Sequence, residues 1–201
     1  MYRAILMDLG KVLIDFDFSA GYRALEELCP YPETEIRRRI AATGLAARFE
    51  TGLLEPRDFC AQLCACLELK VDYHRFCTIW NSIFSNVLLP ESMIEGLAHR
   101  SRLVLVSNTN KIDFEMARQQ YPVLRHFHHL ALSYQVKAMK PHPEIFLEAV
   151  RLAGCRAGEC FYADDVPAFT EAARKLGVDA VTFESAAQLS TEMRRRGIAW
   201  E

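Results

Sequence analysis

The sequence predicts an α/β fold, with a Rossmann-like, mostly parallel sheet as its core and an inserted all-helical cap. Short apolar runs that end in polar or turn-forming residues are typical of buried strands. From residue 91 onward these runs alternate with helical patterns, which favours crossover connections and parallel strands. Between the first and second runs the chain carries only helical patterns over about 70 residues, which indicates an insertion rather than a simple crossover.

Five apolar segments fit the strands of the core sheet. Each is only a few residues long and ends in polar residues, which favours a strand over a helix. In chain order the segments are residues 2–8, 102–108, 129–134, 160–164 and 179–184. The helical patterns between and after them cover residues 92–100, 112–121, 142–154, 166–177 and 185–200.

Residues 18–88 are predicted to form the helical cap, seated over the end of the sheet. Ile36 and Ile40 fall on one stripe of a helix, and the segment "DYHRFCTIWNSIF" shows a second helical stripe. Proline and glycine residues separate the helical segments. We therefore expect the α/β core to comprise residues 1–17 and 89–201.

Composition disfavours several classes of partner. The net charge of −2 provides no basic face for nucleic acid or acidic lipid. No apolar run reaches the roughly 18 residues that a membrane-spanning helix requires. The 7 cysteines, an odd number without a secretory signal, indicate reduced thiols and a cytoplasmic protein. Three of them, in "CAQLCAC", match no zinc-site spacing and are interpreted as small apolar residues of a helix.

Polar side chains suited to phosphoryl transfer follow three of the predicted strands. Ligands of open parallel sheets bind at the carboxyl ends of the strands, so these side chains are expected to converge. A lysine that shortly precedes a predicted helix can reach the same edge. The residues are Asp8 after the first strand, Ser107 and Asn108 after the second, Asp164 and Asp165 after the fourth, and Lys140 before the helix.

These residue types are sufficient to capture a phosphoryl group. A carboxylate such as Asp8, beside a magnesium ion, can attack phosphorus and form an aspartyl phosphate. The Ser107 hydroxyl, the backbone N–H of Asn108 and the Lys140 ammonium can stabilise charge on the phosphoryl oxygens. Because Mg²⁺ prefers oxygen ligands and keeps several waters, Asp8, Asp165 and one backbone carbonyl would suffice to hold it.

Four motifs in order resemble those of the haloacid dehalogenase-like hydrolase superfamily. They are "ILMDLGKVLID", "LVSNTN", "MKPHPEIF" and "FYADDVPAFTEAARKLG". The helical insertion after the first motif resembles the first-type cap of that superfamily. The stretches "DLGKVLIDFDF", "VSNTN" and "QQYPVLR" look most similar to the branch that includes bacterial α-D-glucose-1-phosphate phosphatases.

The resemblance implies a catalytic role for Asp8 and Lys140. Asp8 would be the nucleophile and a magnesium ligand, and Lys140 would hold Asp8 and neutralise charge. The transferring phosphoryl group would be bound by Ser107, Asn108 and Lys140.

The resemblance also implies the remaining metal ligands and exposes a departure at one of them. Asp165 would ligate the metal, with Asp164 beside it as a second ligand or orienting partner. In most phosphatases of the superfamily an acid stands two residues after the nucleophile, where it protonates the leaving oxygen and then activates water. Here that residue is Gly10, which loses the side chain and keeps the backbone carbonyl as a metal ligand.

Gly10 predicts a preference for substrates with good leaving groups. Loss of a positioned acid or base costs about 10² to 10⁴ in rate. A good leaving group needs little protonation in a loose, metaphosphate-like transition state, so glycosyl phosphates are favoured over alkyl phosphates. Asp15 or Asp17, which lie on the same side of the segment leading into the cap, are candidates to replace the missing acid or base.

A second departure is Phe169. Superfamily members of this type often have an asparagine in "DDxxxN", and Phe169 occupies that position here. The substitution removes a polar group from the neighbourhood of Asp165 and Lys140, and such groups position catalytic side chains.

The predicted function is a magnesium-dependent phosphatase that hydrolyses a small phosphomonoester, with a sugar phosphate such as glucose 1-phosphate as the specific expectation. Two alternatives stay open. A metal-independent 2-haloacid dehalogenase is disfavoured because adjacent Asp164 and Asp165 would repel an anionic substrate without a cation. A catalytically impaired phosphometabolite-binding protein is kept open by Gly10 and Phe169. The expected partner is a small phosphorylated metabolite, and both a monomer and a homodimer fit the sequence.

Overall fold

The structure, a computed structural model, describes residues 1–201 and confirms the predicted α/β class. None of its helices has the length and apolar character that crossing a membrane demands. The strands are β1 (Ala4–Met7), β2 (Ile14–Phe16), β3 (Phe84–Val87), β4 (Arg102–Ser107), β5 (His129–Leu132), β6 (Cys160–Asp164) and β7 (Asp179–Thr182). The helices are α1 (Phe18–Glu26), α2 (Glu33–Thr43), α3 (Leu45–Glu50), α4 (Pro56–Leu67), α5 (Tyr73–Trp80), α6 (Glu91–Arg100), α7 (Lys111–Gln120), α8 (Ser133–Val136), α9 (Pro143–Ala153), α10 (Pro167–Lys175) and α11 (Ala186–Arg195).

Five strands form one parallel sheet in the order β5-β4-β1-β6-β7. These strands lie within the five apolar segments that the sequence analysis identified. The central strand β1 pairs with β4 on one side and β6 on the other, with Met7 opposite Leu105 and Ala163. The carboxyl ends of these three strands therefore lie side by side, where open parallel sheets bind their ligands.

Both faces of the sheet are buried, which explains the unbroken apolar runs in its sequence. Successive side chains of a strand point to opposite faces. Ile5 and Met7 pack into one apolar cluster with residues of α6, α7 and α11. Ala4 and Leu6 pack into the other with residues of α9 and α10. The two layers of helices hold β1 rigidly, and with it the residue that follows its last position.

Helices α1 to α5 have an apolar cluster of their own. Phe49 stacks on Phe59 with ring centroids 4.2 Å apart, and Phe59 meets Phe76 edge to face at 6.0 Å. Ile112 of α7 belongs to the same cluster, so these helices pack against the start of a helix of the α/β body. The division into a cap of residues 18–88 and a core of the remaining residues stays a prediction.

The expectation that residues 18–88 contain no strand is wrong at Phe84–Val87. This strand, β3, pairs antiparallel with β2, so the chain leaves and re-enters the body as a two-stranded ribbon. The helix expected over "DYHRFCTIWNSIF" ends at Trp80 and continues as a 3₁₀ turn, Asn81–Ile83. The prediction extended the helix too far because Phe84 is apolar and falls at helical spacing. In the structure, Phe84 instead packs against Phe16 across the ribbon.

Candidate active site

Asp8, Lys140 and Asp164 form a buried ion network at the carboxyl edge of the sheet. Asp8 follows β1, and Asp164 is the last residue of the neighbouring β6. The Lys140 Nζ lies 2.7 Å from Asp8 Oδ1 and 2.6 Å from Asp164 Oδ2. Exposure is 7% for Asp8, 3% for Lys140 and 0% for Asp164, so water screens these charges little. One ammonium thus joins two carboxylates that the sheet brings together.

Each carboxylate of this network is also held by hydrogen bonds. The backbone N–H of Leu9 donates to Asp8 Oδ1 over 2.7 Å. The hydroxyl of Tyr162 donates to Asp164 Oδ2, and the backbone N–H of Val166 donates to Asp164 Oδ1 over 2.8 Å. Both oxygens of Asp164 are therefore occupied within the protein. This engagement favours an orienting role for Asp164 over that of a direct metal ligand.

Burial and the neighbouring charges shift the pKa values of Asp8 and Lys140. Burial raises the pKa of the Asp8 carboxyl and nearby Asp164 adds to the rise, whereas Lys140 opposes it. Burial by itself would lower the pKa of the Lys140 ammonium, but Asp8 and Asp164 together raise it above its usual value. Lys140 is thus firmly protonated, and it supplies the opposing charge that an ionised Asp8 needs.

Asp165 completes a group of carboxylates suited to a hard cation. Carboxylate oxygens of Asp8, Asp164 and Asp165 all lie within 4.8 Å of one another. The Asp165 side chain has no hydrogen-bond partner from another residue, and burial followed by the charge of Asp164 raises its pKa. Asp8 Oδ2 is also unpartnered, as is the backbone carbonyl of Gly10. Unpartnered oxygens beside like charges fit Mg²⁺, which prefers oxygen ligands.

Ser107 and Asn108 differ in which of their groups are available to bind a phosphoryl oxygen. The Ser107 hydroxyl has only a long contact, 3.4 Å to the backbone carbonyl of Asn108, so it is available to a ligand. The Asn108 amide is fully engaged with the backbone of Lys140: it donates to the Lys140 carbonyl over 3.0 Å and accepts from the Lys140 N–H over 2.7 Å. Its side chain positions Lys140, and its unpaired backbone N–H remains available to a phosphoryl oxygen.

The space beside Gly10 is filled by an aromatic ring. A Cβ atom added at Gly10 would stand 2.5 Å from Cε1 of Phe16. Phe16 is fixed by edge-to-face contacts with Phe18, at 4.9 Å between centroids, and with Phe84, at 6.4 Å. An acid at position 10 would therefore have to displace this ring. The glycine and the aromatic ribbon are parts of one packing arrangement.

Asp15 and Asp17 are both engaged on the partly exposed side of the ribbon. Asp15 Oδ1 lies 2.6 Å from the Nζ of Lys11, and this hydrogen bond is the main cause of its lowered pKa. Asp17 caps α1 by accepting from the backbone N–H of Ser19 over 2.8 Å, which lowers its pKa too. Neither belongs to the carboxylate group around Asp8. Their assignment as a replacement acid or base stays a prediction.

Phe169 contacts the ion network directly. Its ring centroid lies 5.0 Å from Lys140 Nζ, a cation–π distance. The aromatic ring thus takes the place of the amide expected at this position. It shields Lys140 from water without supplying a hydrogen bond.

Sequence reasoning missed two residues of the site, Tyr162 and Phe16. Tyr162 lies two positions before Asp164 on the same strand, and residues at that spacing share a face of the sheet. Alternation along "CFYADD" was therefore a usable signal. Phe16 had no such signal, because its contact with Gly10 depends on the antiparallel ribbon.

Comparison with known proteins gives a consistent result. A family model described as haloacid dehalogenase-like hydrolase matches residues 55–183, which is more than half of the chain and includes three of its four motifs. D-ribitol-5-phosphate phosphatase of Bacteroides thetaiotaomicron is 25% identical over 200 residues, covering 96% of this chain and 97% of that protein.

Solved structures agree with the fold. An enzyme of the haloacid dehalogenase family from Bacteroides thetaiotaomicron, crystallised with magnesium and inorganic phosphate, gives a TM-score of 0.84 at 26% identity, covering 92% of this chain and 96% of that chain. A predicted hydrolase of the same type from Porphyromonas gingivalis gives a TM-score of 0.85 at 23% identity, covering 99% of each chain, and supports the fold alone.

Replacing Lys140 by methionine should leave two buried carboxylates without a counter-charge. We expect Lys140→Met to lower the free energy of unfolding at pH 7 by about 3 to 5 kcal/mol, as breaking buried ion pairs does. In the variant, folding favours the protonated Asp8 carboxyl, so the stability deficit relative to the wild type should shrink as pH falls from 8 to 5. Urea denaturation across this range measures both effects. Lys70→Met, at an exposed lysine, is the control, and equal stability of the two variants at pH 7 would contradict the account.

Proposed function

Because this chain belongs to the haloacid dehalogenase-like hydrolase family, we propose that it is a magnesium-dependent phosphatase acting on a small sugar phosphate. The observation that carries the proposal is the buried Asp8–Lys140–Asp164 network with unpartnered oxygens beside it. The similarity to a phosphatase, and to a family enzyme crystallised with magnesium and phosphate, supports the same activity.

The residues present fit a magnesium ion. Asp8 Oδ2, the Asp165 carboxylate and the Gly10 carbonyl would hold it, with Asp164 as a further ligand or as the group that orients its neighbours. Magnesium, when bound, neutralises charge on the phosphoryl oxygens and on the attacking carboxylate. It would also lower the pKa of Asp8, so the nucleophile would be ionised at neutral pH.

In the first step, a carboxylate oxygen of Asp8 attacks phosphorus and the bond from phosphorus to the leaving oxygen breaks. The Ser107 hydroxyl, the Asn108 backbone N–H and the Lys140 ammonium hold the phosphoryl oxygens while their charge redistributes. The leaving oxygen departs with the bonding electron pair and takes a proton from solvent or from a nearby acid. The product of this step is an aspartyl phosphate on Asp8.

In the second step, water attacks the phosphorus of the aspartyl phosphate, and the bond between phosphorus and the Asp8 oxygen breaks. The attacking water must lose a proton, and Gly10 offers no side chain to take it. We infer that Asp15 or Asp17 serves as the base. Both carboxylates are ionised at neutral pH and can accept a proton, but the hydrogen bonds that lower their pKa values also make them weaker bases.

The missing acid at Gly10 favours a glycosyl phosphate over an alkyl phosphate. An anomeric oxygen leaves more easily than a primary alkoxide, so the first step tolerates the absence of a proton donor. Glucose 1-phosphate is therefore our specific candidate. D-ribitol 5-phosphate, named for the similar phosphatase, is the alkyl comparison.

Substitution of the proposed nucleophile tests the activity itself. We expect Asp8→Asn and removal of magnesium with EDTA each to abolish release of phosphate from glucose 1-phosphate, because attack on phosphorus needs the carboxylate and the metal. Asp58→Asn, at an exposed acid of α4, is the matched control and should keep wild-type turnover. A dehalogenase would instead release halide from 2-haloacids in EDTA, and a binding protein would show no turnover with any ester.

The identity of the replacement base is tested by two substitutions. We expect either Asp15→Asn or Asp17→Asn to lower kcat by about 10² to 10⁴, the usual effect of losing a positioned base. Asparagine caps helices as well as aspartate does, so Asp17→Asn should leave α1 and the thermal stability unchanged. Unchanged kcat in both variants would contradict this assignment.

An acid introduced at position 10 should function only if the ring of Phe16 no longer fills the adjacent space. We expect Gly10→Asp alone to lower stability and to leave turnover of D-ribitol 5-phosphate low, because its Cβ would collide with Phe16. The double variant Gly10→Asp with Phe16→Ala should raise that turnover by about 10² relative to Phe16→Ala alone. Steady-state kinetics with glucose 1-phosphate should show a smaller gain. Equal activity of the single and double variants would contradict the packing argument.

A further inference from the structure

A pair of cysteines lies where α9 leads into β6, at the amino end of the sheet. The Sγ atoms of Cys155 and Cys160 are 3.5 Å apart. Cys155 follows the glycine that ends α9, and Cys160 is the first residue of β6. The proposed active site lies at the carboxyl edge of the same sheet, so this pair takes no part in it. Two thiols in contact can form a disulfide if the backbone allows their sulfur atoms to meet.

The backbone leaves Cys155 free to approach its partner. Neither the N–H nor the carbonyl of Cys155 makes a backbone hydrogen bond. Cys160 is fixed by comparison, because it pairs with Ala4 of β1 and its thiol donates to the carbonyl of Arg156 over 3.6 Å. A disulfide needs a sulfur separation near 2.05 Å, so the two atoms must close by about 1.5 Å. A shift of Cys155 within the turn between α9 and β6 can supply this movement.

The two thiols differ in their access to a reagent. Cys155 is partly exposed and lines an open depression of the surface. Cys160 has an exposed fraction of 0%, and burial raises the pKa of its thiol to about 12. Since the thiolate is the attacking species, a reagent in solution reacts first with Cys155. Cys160 then reacts only with a sulfur that is already bound to Cys155.

The depression that Cys155 lines carries more positive than negative charge. Three arginines and one acid contribute to it: Arg3, Arg151, Arg156 and Glu159. Arg156 pairs with Glu159, with 3.3 Å between Nε and Oε2. Arg151 pairs with an acid that does not line the depression, and Arg3 forms no ion pair. The surplus of positive charge attracts anions and raises their rates of encounter.

A second cysteine contact, on α4, lacks these features. The Sγ atoms of Cys60 and Cys64 are 3.9 Å apart, one helical turn from each other. Both residues lie inside the helix, whose backbone hydrogen bonds hold them in place. Burial raises the pKa of both thiols. The Cys60 and Cys64 pair therefore serves as the internal comparison for oxidation.

We propose that Cys155 and Cys160 form a site of reversible oxidation, at which an anionic small-molecule disulfide converts the two thiols into an intramolecular disulfide. The inference is independent of the proposed phosphatase function. The exposed turn and the positive depression deliver the reagent to Cys155, and the contact with Cys160 completes the reaction within the protein.

The reaction proceeds by two exchanges of a thiol with a disulfide. The Cys155 thiol first loses its proton to solvent and attacks one sulfur of the reagent. A bond forms between these two sulfur atoms, the S–S bond of the reagent breaks, and its other half leaves as a thiolate that takes up a proton. The Cys160 thiol then loses its proton and attacks the Cys155 sulfur, which releases the second half of the reagent in the same way. Two protein thiols are oxidised, and one disulfide is reduced to two thiols.

Peptide mapping tests the inference directly, because trypsin cleaves after Arg156, between the two cysteines. The reduced protein is treated with 3,3′-dithiodipropionate, a disulfide with two carboxylates, and is then unfolded in N-ethylmaleimide to block free thiols before digestion. We expect mass spectrometry to show peptides 152–156 and 157–174 joined by a disulfide, and dithiothreitol to separate them. Peptide 58–70, which contains Cys60 and Cys64, should carry only blocked thiols.

Single substitutions separate the two exchanges. Cys160→Ser should stop the reaction after the first exchange, with half of the reagent retained on Cys155. Cys155→Ser should leave Cys160 unmodified, because the reagent does not reach a buried thiol. Cys64→Ser is the matched control and should still form the linked peptides. Thermal unfolding checks that each variant is folded, and Cys160→Ala supplies the same measurement if Cys160→Ser is unstable.

The preference for an anion is tested with cystamine, a disulfide of similar size that carries two ammonium groups. Each rate of the first exchange is divided by the rate of the same reagent with N-acetylcysteinamide, which removes the difference in intrinsic reactivity. We expect the normalised rate to be about tenfold lower for cystamine, and the difference to shrink in Arg156→Gln and at high salt. Arg75→Gln, at an exposed arginine of α5, is the control and should keep the wild-type ratio.

Three results would overturn the inference. The first is reagent retained on Cys155 of the wild type with no link to Cys160. The second is a disulfide within peptide 58–70 that forms before the link between Cys155 and Cys160. The third is equal normalised rates for the two reagents, which would refute the choice of an anionic disulfide.

Discussion

The ammonium of Lys140 between Asp8 and Asp164 is the interaction on which the rest of the site depends. Parallel pairing of β1 and β6 brings the carboxylates of Asp8 and Asp164 to adjacent strand ends, where their like charges would repel each other. Lys140 offsets both charges, and the Asn108 amide holds its backbone in place. Each buried charge therefore has a partner, a condition under which buried ion networks are tolerated.

The proposed site keeps the groups suited to capturing phosphate and lacks the side chain that usually transfers protons. The proposed nucleophile, the oxygens suited to a cation and the proposed phosphate donors are in place around Asp8. The position that would carry an acid is Gly10, and the ring of Phe16 fills the adjacent space. The replacement of the acid by Gly10 affects the formation and the hydrolysis of the aspartyl phosphate unequally. A good leaving group can compensate in the first step, whereas hydrolysis of the aspartyl phosphate always requires a proton to leave water.

The fold was predictable because strands that are buried on both faces of a sheet appear in the sequence as unbroken apolar runs. All five strands of the parallel sheet lie in apolar runs, and their order placed Asp8, Asp164 and Lys140 together. The ribbon of β2 and β3 was not predictable, because three or four residues of an antiparallel pair resemble the end of an amphipathic helix. The contact of Phe16 with Gly10 depends on that ribbon, so it was hidden as well. The backbone N–H of Asn108 was the group expected to bind phosphate, whereas the support that its side-chain amide gives to Lys140 was not predictable from residue type alone.

Gly10 removes the usual base of the second step, and Asp15 or Asp17, the proposed replacement, is a weaker one, so we expect the aspartyl phosphate to form faster than it is hydrolysed. Rapid-quench kinetics with ³²P-labelled glucose 1-phosphate test it most directly. We expect a burst in the first turnover, with labelled protein approaching one phosphoryl group per chain and the label on the peptide that contains Asp8. Linear product formation without labelled protein, at saturating substrate and magnesium, would contradict it.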